Sequence, residues 1–490
     1  MAGRVADASR RPAAGRALAW SFANTMVARF GTLAIGIALA RMLGPEEFGT
    51  YAVALVALLA ILSFNELGVS LAIVRWEEDP AEIAPTVTTI SVGMSAVLTG
   101  AAVWAAPYFA SAMGSPEAAP LVQLMSLCVL VNGVVATPAA LMQRLFRQDQ
   151  RMVADQVNVW LGAFVSLGMV AVGFGAISLV VGRLAGAGVS GLLFLRFSPL
   201  PFRFGFDRRF ARRLLVFGLP LAGASIIVFL VGFIDQLMVG RFLGPVVLGS
   251  YVLAANLASW PVSIFSQPLR SVAPALFARM QHDPTLMRTS FVQVLRPLSA
   301  VALPVCLVMS ATAPQLVAFV YGEQWSAAAP VLRWLALLAA LRIFFELAYD
   351  YLVVRARTGA ILRIQVVWIV VLVPALWLGI DRAGAGGAAL ALVLVAALVS
   401  LPMYLAEFAR GGIGVRAVSN AVALPSLLAA LAWMLATTLG VVMSGAVLLL
   451  LVAGTVGGIC MAATLWVCRN DLEVWRAQAP APTAGVRSPA

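Results

Sequence analysis

Seven ionisable side chains stand deep inside long apolar stretches of this 490-residue chain: Arg29, Glu66, Arg183, Asp235, Arg270, Arg342 and Glu346. A charge at bilayer depth costs about 2.5–3.5 kcal/mol on insertion scales, so such groups tend to face a wet cavity or a partner. Guanidinium groups match phosphate in shape and charge. More arginine than carboxylate inside the membrane therefore suits an anionic ligand such as a lipid diphosphate head group. Arg29, Arg270 and Arg183 are the candidate phosphate-holding residues, with Gln267 and Asn256 as neutral polar neighbours. Asp235 and Glu66 are the candidates for binding a coupling ion or proton, and either can instead partner a cavity arginine. Arg342 and Glu346, spaced i and i+4, are expected to neutralise each other.

The helical phase of these groups organises them. In the first apolar stretch Ser21, Thr25, Arg29, Thr32 and Gly36 fall within about 80° of arc at 100° per residue. Asn256, Ser259, Ser263, Gln267 and Arg270 form a comparable stripe in the eighth, which Pro261, Pro268 and Pro274 interrupt. Ser63, Glu66 and Ser70 share one face of the second stretch. In the seventh, Gly218, Ser225, Gly232 and Gln236 align, with Asp235 at the margin. Stripes of small and polar residues also serve as helix-packing seams. An unpaired guanidinium gains nothing in such a seam, and this favours a water-filled cavity for Arg29 and Arg270.

The stretches carrying the stripes are related. Arg41-Met42-Leu43-Gly44-Pro45, followed by Gly49 and Tyr51, returns as Arg241-Phe242-Leu243-Gly244-Pro245, followed by Gly249 and Tyr251. Each copy joins two apolar stretches, so the first and second correspond to the seventh and eighth. The duplication predicts two related helical bundles whose four polar stripes converge on a central cationic cavity, the ground plan of an alternating-access carrier.

Composition requires a bilayer. Hydrophobic residues make up 62% of the chain and charged residues 11%, and the net charge of +12 comes from arginine alone, since the sequence has no lysine. Fourteen stretches of about 20 residues are long enough to span. With the N-terminus inside, only Arg41, Arg241 and Arg382 fall in outer loops, while most arginines fall in inner segments, as the positive-inside rule requires. The expected fold is an all-α polytopic membrane protein: two six-helix lobes in parallel repeat plus two extra C-terminal helices. The expected organisation is a cytoplasmic tail over 1–17, an N-lobe over 18–195 and a basic cytoplasmic linker over 196–213. A C-lobe over 214–408, the last two spans within 409–467 and a disordered cytoplasmic tail over 468–490 complete it. Pro199, Pro201 and the aromatic residues of the linker suggest a stretch lying on anionic lipid at the interface.

The remaining residue types exclude other chemistry. Cys128, Cys306, Cys460 and Cys468 lie within apolar stretches without metal-ligand spacing and read as small core residues. The single histidine, His282, falls in a polar loop, so no metal site is expected. A phosphate-binding loop of the G-x-x-x-x-G-K-[ST] type needs a lysine this chain lacks. The basic charge is explained by topology, so no nucleic acid is expected as a partner.

Five segments in order carry a resemblance. They are Ala40 to Tyr51 running on to Asn65-Glu66-Leu67-Gly68, Pro138-Ala139-Ala140-Leu141-Met142-Gln143-Arg144, Asp235 with Gly240-Arg241-Phe242-Leu243-Gly244, Tyr321-Gly322-Glu323-Gln324-Trp325, and Ala328-Ala329-Pro330-Val331-Leu332. Together they resemble the polysaccharide transporter family of Wzx-type oligosaccharide flippases, within the multidrug/oligosaccharidyl-lipid/polysaccharide (MOP) superfamily. The closest similarity is to the colanic and teichuronic type of exporter, which often has Asp where this chain has Asn65. The resemblance implies an inner-membrane flippase, with both termini cytoplasmic, moving an undecaprenyl-diphosphate-linked oligosaccharide between leaflets for cell-surface polysaccharide synthesis. It further implies no catalytic residues and no cofactor beyond a proton or Na+ gradient. The implied partners are the lipid-linked oligosaccharide, membrane lipids and a polysaccharide polymerase.

Rival readings differ in testable ways. A lipid II flippase shares the spans and the cationic cavity. A small-molecule cation antiporter of the same superfamily calls for an acidic, aromatic cavity, whereas arginines outnumber acids here. A polytopic glycosyltransferase or polymerase needs a sizeable outer loop with catalytic groups, and the outer loops around 107–120 and 312–327 are short with one acid each, Glu117 and Glu323.

Overall fold

The computed structural model describes residues 34–65, 69–76, 78–145, 147–279, 283–443, 445–467 and 469. Arg29 and Glu66 lie outside the described residues, as do His282 and Cys468. All regular structure among the described residues is helical. Ten of the helices are long and apolar enough to cross a membrane. The chain divides into two compact units, Met1–Phe229 and Leu230–Ala490.

The first unit contains α1 (34–42), α2 (Pro45–Asn65), α3 (Val69–Arg75), α4 (Pro80–Ala112), α5 (Ala119–Arg144), α6 (Gln148–Ala171) and α7 (Ile177–Phe197). Helix α8 (Arg208–Leu243) begins in it and ends in the second unit. Starts are set by local chemistry. Asp79 accepts a hydrogen bond from the Ala81 amide ahead of Pro80, and proline at the first helical position loses no bond there. Helix α4 packs along α5 and α6 along α7. Leu58, Met125, Val129 and Val180 are among the buried side chains that join α2, α5 and α7.

The second unit continues with α9 (Pro245–Arg279), α10 (Pro284–Ala311), a short α11 (Ala313–Tyr321) and α12 (Ala328–Val354). Next come α13 (Thr358–Val395), a π-helical turn (Ala396–Ser400), α14 (Leu401–Arg410), α15 (Val415–Val442) and α16 (Ala446–Val467). Helix α9 packs along α12, and α10 along α15 and α16. Phe277, Phe291, Tyr351 and Phe408 form a buried ring cluster with neighbouring centroids 4.8–6.4 Å apart.

The duplicated loops have matching local structure. The Phe48 amide donates to the Gly44 carbonyl and the Leu248 amide to the Gly244 carbonyl, both at 3.1 Å. Pro45 and Pro245 each open the next helix. Glu47 of the first copy lies against Gly175 in the α6–α7 turn, where a Cβ would come within 2.6 Å of its carboxylate. The motif is thus a packing device as well as a connector.

Helix α13 is interrupted where the sequence places the break between the eleventh and twelfth spans. Ala383 and Gly384 leave helical geometry, and Gly384 has φ +58°, which glycine tolerates without strain. Beyond this break the backbones of Gly379 and Gly387 touch, so the two arms form a close hairpin. Gly322 (φ +101°) turns the chain so that Trp325 is fully buried. The Tyr321-to-Trp325 signature therefore anchors the α11–α12 connection.

The arginines do more than set topology. Glu407, only 6% exposed, receives Arg357 at 3.5 Å, Arg363 at 3.3 Å and Arg410, joining three segments of the second unit. The three guanidinium groups stay largely hydrated, so the net worth of the cluster is modest. Glu407→Gln is expected to destabilise the unit by about 1–2 kcal/mol, read as a lower thermal midpoint in detergent. An unchanged midpoint would show that the arginines need no internal counter-charge. Arg342 and Glu346, by contrast, form no ion pair among the described residues. Arg342 precedes Glu346 on the helix, which is the weaker orientation for an i, i+4 pair, and its side chain is exposed.

Candidate functional site

The first unit encloses a polar cleft of about 580 Å³. Leu39 of α1 and Tyr51, Leu58 and Leu62 of α2 supply one wall. Asn132 of α5, Asn158 and Ser166 of α6, and Arg183 and Ser190 of α7 supply polar groups. Arg151 and Asp155 complete its charge, one helical turn apart on α6 with Nε and Oδ2 separated by 3.8 Å. Among the described residues two arginines and one carboxylate line the cleft, a net positive balance. Arg183 has no ion-pair partner among those residues.

The cleft exists because α6 and α7 approach each other through small residues. Asn158, Gly162 and Ser166 recur every four residues on α6, and Ser178, Gly182, Gly186 and Ser190 do so on α7. A Cβ at Gly182 would collide with the Ser166 hydroxyl and the Gly162 carbonyl, and one at Gly186 with the Asn158 carbonyl. Small-residue seams of this kind let membrane helices pack closely. Here the seam also presents Arg183 beside it. Gly182→Leu is expected to destabilise the unit by about 1–3 kcal/mol or more through overpacking, and to lower the amount of folded chain in the membrane. Normal abundance and normal thermal stability would show that α6 and α7 can separate without loss.

The sequence-predicted residues divide between the two units. Arg183 lines the cleft of the first. Asp235 and Asn256 belong to the second unit, where Tyr251 Oη donates to Asp235 Oδ2 at 2.7 Å and Asn256 is exposed on α9. Gln267 and Arg270 lie on α9, but their side chains fall outside the described residues. Cys128, Cys306 and Cys460 are buried and free, as core residues should be, and Cys128 also lines the cleft.

Arg151, Asp155, Asn132, Asn158, Ser166 and Ser190 were not foreseen as site residues. Arg151 stands at the polar start of α6, where an arginine reads as a topology signal, and the serines and asparagines carry no charge to mark them. The four-residue spacing of Asn158, Gly162 and Ser166 was the available signal. Another recognisable motif has a structural role. Arg144 Nη1 donates to the carbonyls of Ile73 (2.6 Å) and Trp76 (2.8 Å), and Nη2 to that of Glu78 (3.2 Å), fixing the α3–α4 connection.

Apolar helices of spanning length, with a cleft whose described lining is net positive, mark a multi-pass membrane protein. The fold agrees with known carriers. The chain superposes on the lipid II flippase MurJ in an inward closed conformation with TM-score 0.77, covering 91% of this chain and 99% of that one at 11% identity. An inward-facing multidrug resistance MATE transporter of the MOP superfamily gives TM-score 0.61, over 78% of this chain and 94% of that one at 18% identity. In sequence, the family described as "Polysaccharide biosynthesis protein" matches residues 38–330, more than half of the chain, and the chain belongs to that family. Its relatives include the lipopolysaccharide biosynthesis protein WzxC of Escherichia coli (strain K12), 26% identical over 79% of each chain. The succinoglycan biosynthesis transport protein ExoT of Rhizobium meliloti (strain 1021) is 29% identical over 66% of this chain and 65% of its own. The resemblance to Wzx-type polysaccharide transporters holds in sequence, and the fold is shared with the MurJ and MATE carriers.

Proposed function

We propose that this protein is a flippase rather than an enzyme, carrying an undecaprenyl-diphosphate-linked oligosaccharide from the inner to the outer leaflet by alternating access. The observation that carries this reading is the Arg183 guanidinium, which has no ion-pair partner among the described residues, in a cleft whose described lining is net positive and which lies among apolar helices. Such a group suits a diphosphate far better than a cationic drug. Arg29 and Arg270, with Gln267 and Asn256, are proposed to complete the head-group site. Asp235 and Glu66 are proposed to respond to a proton or Na+ gradient, and a polysaccharide polymerase is the proposed acceptor of the product.

A second feature supports a lipid cargo. In the second unit α10, α12, α14 and α15 border a groove of about 360 Å³. Its lining is mostly aliphatic, including Leu298, Leu303, Leu341, Leu405 and Val422, with Phe344 and a few serines beside them. Helix α15 lies outside the duplicated region, and the groove it borders is the proposed seat of the polyprenyl tail.

The test is depletion of the protein in its own cells, with lipid-linked oligosaccharides quantified by mass spectrometry and their leaflet probed. A completed oligosaccharide-lipid should accumulate on the inner face while surface polymer is lost. Accumulation of lipid II instead would reassign the cargo. Absence of any accumulated lipid, in a strain with no redundant flippase, would overturn the reading in favour of a small-molecule antiporter.

A further inference from the structure

The segment between α7 and α8 carries a second, separate binding feature. It runs extended along α4, held by backbone bonds to two threonines. The Thr89 hydroxyl donates to the Gly205 carbonyl at 2.7 Å and lies 3.1 Å from the Gly205 amide, and the Asp207 amide donates to the Thr86 hydroxyl at 3.1 Å. Gly205 lies so close to α4 that a Cβ would stand 2.7 Å from that of Pro85. In an extended chain alternate residues point to opposite sides. With Gly205 held against α4, Phe204 and Phe206 turn outward, exposed by 64% and 68%, while Phe202, exposed by 36%, also borders a crevice with Pro85 and Thr88. The clamp thus presents two aromatic rings fully and a third in part where a soluble surface would bury them.

Next to this row stands a basic pocket. Arg208, Arg209, Arg212 and Arg213 occupy the first turns of α8 and, with Trp76 and Val216, line an open pocket. Arg213 stacks on the Trp76 ring at 4.5 Å and donates to Glu78 Oε1 at 2.6 Å. The Arg213 hydrogen bond, then the backbone bond to Glu78, holds the Glu78 carboxyl below its usual range. A lowered folded-state value means the pair is at full strength above the ordinary glutamate pKa and fades only as pH falls through the lowered value. Glu78 offsets one charge of the four, and no carboxylate is among the described residues that line the pocket.

We propose that residues 201–216 and Trp76 form a binding site for an anionic phospholipid of the inner leaflet, with the phenylalanines among the acyl chains and the arginines on the phosphodiester. Exposed aromatic rings beside clustered arginines match the two halves of such a lipid, the apolar boundary and the negative head group. A free phosphate would leave the aromatic row without a role, and a zwitterionic lipid would leave the excess charge unused. The site does not depend on which cargo the protein carries. It does require this end of the first unit to lie at the inner surface, as the distribution of arginines assigns.

The test uses the purified full chain and native mass spectrometry, comparing retained phosphatidylglycerol with phosphatidylcholine. Arg208→Gln/Arg209→Gln/Arg212→Gln, which leaves the Arg213–Glu78 pair in place, should lower phosphatidylglycerol retention about tenfold while phosphatidylcholine is unchanged. Retention should also weaken with rising salt, and stay constant between pH 7 and about 5, where Glu78 remains ionised. Hydrogen–deuterium exchange on the unaltered chain gives an independent reading. Phosphatidylglycerol should slow exchange over 201–216, and phosphatidylcholine should not. Equal retention by the triple variant, or equal protection by the two lipids, would overturn the proposal. Protection by inorganic pyrophosphate equal to that by phosphatidylglycerol would overturn it in favour of a phosphate site.

Discussion

Replacing Arg183 with alanine should lower export of the lipid-linked cargo about 10- to 100-fold at unchanged abundance in the membrane. Hydrogen bonds to charged groups contribute about 1.5–3 kcal/mol, and each 1.4 kcal/mol is a factor of ten. Arg183 has no described carboxylate partner, so its removal leaves no buried charge behind and should spare the fold. Arg183→Lys keeps the charge but loses the planar fork, and should fall between the two. Arg29→Ala and Arg270→Ala should each abolish export, if the diphosphate is shared among the three guanidinium groups. Quantifying surface polymer against membrane abundance for each variant decides the matter. Normal export by all three alanine variants would end the phosphate-clamp idea, whatever the family.

Asp235→Asn should uncouple transport from the ion gradient. Asparagine keeps the shape and can still accept the Tyr251 hydrogen bond, but it can neither gain nor lose a proton and lacks the negative charge that holds a cation. In proteoliposomes with an imposed proton or Na+ gradient, the variant should move cargo only down the cargo's own gradient. Tyr251→Phe should weaken coupling less, because it removes a hydrogen bond of about 0.5–3 kcal/mol while leaving the carboxylate. Full gradient response in Asp235→Asn would transfer the coupling assignment to Glu66 or to a group not yet named.

The fold was legible where physics acts locally along the chain. Apolar length marked the helices, and Gly384 lies in the break that composition places between the eleventh and twelfth spans. The duplicated loop predicted that two connections would share a local structure, and Gly44 and Gly244 accept the same helical bond. Contacts that join distant segments were not legible. Arg357, Arg363 and Arg410 read as topology determinants because nothing in their spacing shows that Glu407 collects all three. The short α11 and the burial of Trp325 were also missed, since a nine-residue helix in an outer segment has no spanning signature. At the cleft, Arg183 was visible because a charge in an apolar stretch is conspicuous. The asparagine and serines around it were not, because uncharged polar residues serve helix packing equally well.

The two tyrosines of the duplicated loop have a shared ancestry and separate employment. Tyr51 faces the cleft of the first unit, whereas Tyr251 is engaged by Asp235. The position equivalent to Asp235 in the first copy is Ile35, which can make no such bond. The ancestral duplication thus diverged into one half that turns its phenol to a cleft and one that commits it to an acid. The loop was inherited twice, but the carboxylate that engages its tyrosine stands in one copy only, so a chimaera carrying two identical halves would have to sacrifice one of the two arrangements.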